Sequence, residues 1–142
     1  MITSSKGSRI PENLYYTKEH EWALVQPDGT VRIGITDHAQ ESLHEVVFVE
    51  LPKIGAKVER LGFLGTVESV KAVSEVYSPV AGEIVDVNGS LDKAPELVNK
   101  DPYGDGWIAV IKPSGLEADL KALLKPKEYA DILAKESHGR RS

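Results

Sequence analysis

Short runs of β-branched and aromatic residues, cut at close intervals by glycine and proline, constrain this chain more than any other feature. Such side chains lose rotamer freedom in a helix and pack well on a pleated surface. Between positions 21 and 111 the runs follow one another at 21–25, 30–35, 46–51, 61–70, 72–77, 83–87 and 107–111, with a short one at 57–58. Gln26-Pro27-Asp28-Gly29 is a turn sequence, so 21–35 reads as a hairpin. Ser78-Pro79, Ala81-Gly82, Asn88-Gly89 and Asp105-Gly106 break the chain again. The expected fold class is therefore mainly β, a sandwich or flattened barrel.

Helical signals are few. Thr36 can cap a short helix over 37–43, with Asp37 at the positive end of its dipole. Residues 91–99 have no clear period. Ser114 can cap a helix over 116–124, and Pro126 suits the first turn of another that reaches about position 134. The expected organisation is a loose N-terminus at 1–12, one domain over 13–135 with helices from about 114, and a frayed tail at 136–142.

Composition removes several function classes. Lys+Arg 17 against Asp+Glu 22 gives a net charge of −5, which disfavours nucleic acid and anionic membranes as partners. No apolar run reaches transmembrane length, and the first nine residues lack the apolar core of a secretory signal. The absence of cysteine excludes disulfides, thiol catalysis and cysteine metal sites. It also means that a dithiol carried by this chain would find no protein thiol of its own to trap it.

Few residues are spaced for chemistry. His20, His38, His44 and His138 do not form a zincin pair, and His38 and His44 are poorly spaced for one helical face, so no metal site is expected. No serine sits in a nucleophile elbow, and Gly62-Phe63-Leu64-Gly65 lacks the lysine of a phosphate loop. Glu41 with Glu45, and Glu68 with Glu75, read as solvated carboxylates.

The remaining candidate is Lys71, within Glu68-Ser69-Val70-Lys71-Ala72-Val73-Ser74-Glu75. Two valine-rich strands flank a tight centre, and a turn at Val70-Lys71-Ala72 pushes the amine into solvent. By itself this is a hairpin-tip lysine like many others. What distinguishes it is the small, uncharged escort of Val70 and Ala72, which leaves the amine open to a modifying enzyme.

This octet closely resembles the lipoylation site of the glycine cleavage system H protein family. His20-Glu21-Trp22, residues 34–40, residues 46–52, Ser78-Pro79-Val80-Ala81-Gly82 and residues 102–107 are similar to other blocks of the family in the same order. The resemblance runs from about Tyr15 to Tyr129. One departure is His44, where the family usually has glycine, a residue suited to a left-handed helix end.

The resemblance implies a lipoyl/biotinyl-type flattened β-barrel (a barrel-sandwich hybrid) with lipoate on Lys71. It implies a carrier, not an enzyme, that receives an aminomethyl group from a pyridoxal-phosphate-dependent glycine decarboxylase. The group passes to a tetrahydrofolate-dependent aminomethyltransferase, and dihydrolipoyl dehydrogenase reoxidises the arm. A lipoate-attaching enzyme is a further expected partner. Glu21 or Glu75 is expected to hold the protonated amine of the loaded arm in a cleft that excludes water. A free monomer in a bacterial cytoplasm is expected, with the mitochondrial matrix as the other compartment that suits the family.

The rival readings are an H-like lipoate donor or relay outside glycine cleavage, a biotin carrier, and a lipoyl module of a 2-oxo acid dehydrogenase. Biotin domains usually flank the lysine with methionine, whereas Met1 is the chain's single methionine. A dehydrogenase module normally belongs to a much longer chain.

Overall fold

Valine and isoleucine runs in the sequence become the strands of two facing sheets. In the computed structural model, which describes residues 2–4 and 7–139, the chain opens with β1 (Ile2–Thr3), β2 (Arg9–Ile10), β3 (Tyr15–Tyr16), β4 (Glu21–Val25) and β5 (Val31–Ile35). Then come α1 (Asp37–Leu43), β6 (Val46–Glu50), β7 (Lys57–Val58), β8 (Phe63–Ser69), β9 (Val73–Tyr77) and β10 (Gly82–Val87). A 3-10 turn (Gly89–Asp92), α2 (Leu97–Lys100), β11 (Ala109–Pro113), α3 (Leu116–Ala122) and α4 (Pro126–Gly139) complete it.

The larger sheet has six strands in the order β3-β4-β5-β11-β10-β7, and the smaller has three, β6-β8-β9. Every pairing is antiparallel. Ala23, Val31, Ile33 and Ile111 of the first sheet share one buried cluster with Val46, Val49, Val67 and Val76 of the second. The fold is mainly β and has the barrel-sandwich form.

A second cluster lies on the other face of the larger sheet. Tyr16, Trp22, Tyr129 and Leu133 are buried there with Ile10 and Leu14, so α4 and the N-terminal residues cover that face. Tyr16 and Tyr129 stack with ring centroids 4.6 Å apart. Trp22 donates from Nε1 to the Pro102 carbonyl at 3.0 Å. Across the ladder from Trp22 stands Gly34. A Cβ there would lie 2.7 Å from the indole, so only glycine leaves the ring its place.

The structure corrects three expectations. Residues 1–12 are not loose where they are described: β1 pairs with β2, Ile10 is fully buried, and the Arg9 amide donates to Asp37. Ser114 does not cap α3; Gly115 occupies the cap position with no side-chain bond, and the Ser114 amide is taken by the Ala81 carbonyl. The last helix continues past 134 to Gly139, and Glu136 in that extension meets His20 Nε2 at 3.4 Å. The rest of the expected frayed tail, 140–142, falls outside the described residues.

Thr36 caps α1 as expected, accepting from the Ala39 amide at 3.2 Å. The helix ends at His44, with φ 66° and ψ −145°. That region is almost closed to residues with a Cβ and costs on the order of 1–3 kcal/mol. His44 is exposed, so its side chain offsets little of the strain. His44→Gly should therefore stabilise the protein by about 1 kcal/mol, after the entropy glycine loses on folding. A rise in the urea midpoint at unchanged slope is the expected outcome.

Candidate functional site

The β8–β9 hairpin closes over two residues, Val70 and Lys71. Glu68 faces Val73 across the ladder, and the Ser69 amide donates to the Ala72 carbonyl at 2.8 Å. Neither Val70 nor Lys71 has positive φ, which excludes the primed turns that match strand twist in a two-residue hairpin. Ser69 supplies the missing fit. Its buried Oγ accepts from the Ala72 amide at 3.1 Å and from the Lys71 amide at 3.4 Å.

The tip is also held from outside the hairpin. The Val70 amide donates to the Glu45 carbonyl at 3.3 Å. Asn99 in turn pins the segment around Glu45. Its Oδ1 accepts from the Val46 amide at 2.9 Å, and its Nδ2 donates to the His44 carbonyl at 2.6 Å and to Gln40 Oε1 at 3.0 Å. Lys71 is exposed on this fixed tip, between Val70 at 75% exposure and Val73 at 63%.

The far end of β9 brings two carboxylates to one tyrosine. Tyr77 donates its hydroxyl to Glu75 Oε1 at 2.9 Å and its backbone amide to Glu21 Oε2 at 3.1 Å. Both carboxylates, with Glu19, raise the Tyr77 hydroxyl above its ordinary range, the hydrogen bond to Glu75 first. Glu75 is exposed. Glu21 is buried, 1% exposed, and its Oε1 accepts from the Thr17 hydroxyl. Burial pushes the Glu21 carboxyl up to about 7, against the pull of the Thr17 and Tyr77 hydrogen bonds and with a smaller push from Glu19.

The structure thus places the three residues singled out in the sequence at different depths on connected elements. Lys71 stands at the tip of the hairpin and Glu75 on its returning strand. Glu21 looks into the space between the sheets from β4. Thr17, Ser69, Tyr77 and Asn99 were missed. Ser69 lies inside the octet, two residues before the lysine, where serine turns are common. Thr17 lies only four residues before Glu21, across a bend that the spacing does not reveal, while the Tyr77–Glu21 contact and the Asn99 contacts span more than fifty residues. The structure also brings together His20, His38 and Glu136, which the spacing of the histidines kept apart.

Three comparisons bear on the whole chain. The family model described as Glycine cleavage H-protein matches residues 14–136. The "Probable glycine cleavage system H protein" of Pyrococcus abyssi is 55% identical over 125 residues, covering 88% of this chain and 92% of that one. A "Glycine cleavage system H protein" of Thermus thermophilus is 53% identical over 128 residues, 90% of this chain and 98% of that one. Among solved structures, the glycine cleavage system H protein from Mycobacterium marinum superposes with a TM-score of 0.81 at 39% identity, covering 88% of this chain and 99% of that one.

Glu21 makes stability depend on pH. Its carboxyl titrates at 4.5 when unperturbed and at about 7 in the fold. Between those values the unfolded chain binds fewer protons, so stability falls as pH rises through the window and levels above it. The fall should be about 3 kcal/mol. Glu21→Gln should flatten it and leave the protein more stable than the parent above pH 7, as read by urea unfolding at several pH values.

Proposed function

The chain belongs to the glycine cleavage H-protein family, and on that premise we propose that it is the lipoyl carrier of the glycine cleavage system, with lipoate joined to Lys71. The observation that carries this reading is the Lys71 tip: an exposed amine on a turn fixed by Ser69 from within and by Glu45 from without. An attaching enzyme needs such an amine, and a carrier needs an anchor that does not move with its arm. The residues present fit an amide-linked arm, since Val70 and Ala72 add no charge beside the attachment point. When bound, lipoate supplies a disulfide that accepts the aminomethyl group of glycine from a pyridoxal-phosphate-dependent decarboxylase, and a dithiol that dihydrolipoyl dehydrogenase reoxidises after a tetrahydrofolate-dependent aminomethyltransferase has taken the group.

The chain's own work is positional. Amide formation removes the positive charge of Lys71, so an apolar stem attached there can lie along the exposed Val70 and Val73. A tether on a rigid tip also keeps its free end at high effective concentration near a docked partner. The acidic end of β9 gives a cationic amine a place to rest. Glu75 meets it first, being exposed. Glu21 keeps spare acceptor capacity beside its bonds to Thr17 and Tyr77 but is buried, so a cation reaches it only when its surroundings part, and it must be ionised to attract one. A charge-assisted hydrogen bond of this kind contributes roughly 1.5–3 kcal/mol.

Intact mass of protein from a lipoate-competent host should show a lipoyl-sized increment, absent from Lys71→Arg. With the decarboxylase added, the parent should support glycine-dependent bicarbonate exchange and the variant should not. A lipoylated protein that fails to support exchange would favour a lipoate relay over a glycine-cleavage shuttle. Glu75→Gln should keep the mass increment and shorten the lifetime of the loaded arm roughly tenfold. An unchanged lifetime would remove Glu75 from the role.

A further inference from the structure

His20, just before β4, His38 in the first turn of α1, and Glu136 on α4 each offer one ligand atom, and these atoms lie within 4.8 Å of one another. We propose that this trio is a binding site for a transition-metal dication of the zinc class, which fastens α4 to the sheet. The cluster stands apart from Lys71 and on a different set of elements from Glu75, and nothing in the carrier reading uses it.

Donor chemistry selects the ion. Two imidazole nitrogens and one carboxylate oxygen suit borderline dications, while calcium and magnesium prefer all-oxygen sets. Zinc bonds of about 2.0–2.2 Å put tetrahedral ligand atoms about 3.4 Å apart. His20 Nε2 and Glu136 Oε1 are already 3.4 Å apart. The His20 and His38 rings lie with centroids 4.7 Å apart and planes tilted by 42°, and the His38 ligand atom lies within 4.8 Å of the other two. All three residues are half-buried, and three protein ligands leave the fourth tetrahedral position to water.

The far side of His20 is arranged as metal-bound histidines usually are. Its Nδ1 lies 2.8 Å from the Tyr129 hydroxyl, which lies 2.7 Å from Thr36 Oγ1. With Nδ1–H donating to Tyr129, and Tyr129 donating to Thr36, the Nε2 lone pair is turned toward Glu136. The same chain of contacts joins three elements: the bend before β4, the cap of α1, and α4. An ion bound to one ligand from each would close them around a point.

Isothermal titration with Zn2+ tests the site, after treatment with chelator and in a Lys71→Arg background where no arm dithiol competes for metal. One equivalent per chain should bind, and the metal should raise the thermal midpoint. His38→Ala and Glu136→Gln should each weaken binding at least tenfold and abolish the rise in midpoint. Glu136 is half-exposed and its variant keeps the side-chain shape, so it tests the site even if His38→Ala disturbs α1. His44→Gly should bind as the parent does. No saturable uptake, or equal uptake by the parent and both ligand variants, would overturn the proposal. So would loss of binding in His44→Gly, which would put the ion elsewhere.

Discussion

Strand β4 is buried on both faces, and the rest of the molecule is arranged around that demand. Ala23 packs into the core between the sheets, while Trp22 packs beneath α4. A strand of this kind cannot lie at a solvated surface, so each face must be covered by a separate layer. The three-stranded sheet covers one and the terminal segments cover the other. Alternation then decides the fate of the neighbours. Glu21 follows Ala23 into the space between the sheets, and His20 is left at the bend on the α4 side, at φ 73°. One strand therefore fixes both the buried carboxylate near the β8–β9 hairpin and the histidine of the distant cluster.

The contrast between Lys71 and Glu21 shows two ways of handling charge. Lys71 keeps its charge in water, on a turn whose polar groups are met by Ser69 and Glu45. Glu21 is held out of water by a hydroxyl and one backbone amide, which is too little to keep a carboxylate fully ionised at neutral pH. Such a group is a cost to the fold at rest. It becomes useful when a cation arrives, because the same low dielectric that penalises the lone charge strengthens its pairing.

Strands with several β-branched residues were legible, because their propensity and their burial agree. The 46–51, 72–77 and 83–87 runs shifted by a residue at most. The 61–70 run shortened to Phe63–Ser69, since Leu61 sits at positive φ in the turn before it. Lys57–Val58 was legible after the turn at Gly55, but Ile2–Thr3 and Arg9–Ile10 were not: they are too short for any period, and they are held by pairing with each other, by contact with α4 and α1, and by the burial of Ile10. The exposed place of Lys71 on a hairpin tip could be read from its neighbours in sequence. The depth of Glu21 could not, since a glutamate next to tryptophan looks the same whether its strand ends in water or against Tyr77. The His20–His38–Glu136 meeting was hidden for a related reason: it depends on where α4 lands, and α4 is placed by Tyr129 and Leu133.

The Val70–Glu45 hydrogen bond makes the segment between α1 and β6 an aiming device. The tip is not held by β8 and β9 alone: its Val70 amide is tied to a carbonyl of a neighbouring segment that Asn99 holds to α2. A hairpin anchored in this way can be turned without any change in its own sequence. Loss of the Asn99 side chain would free the segment that ties the Val70 amide, and with it the tip that bears Lys71, while leaving the octet intact. Two relatives with identical hairpins could therefore hold their tip lysines differently, through a residue that lies outside the hairpin.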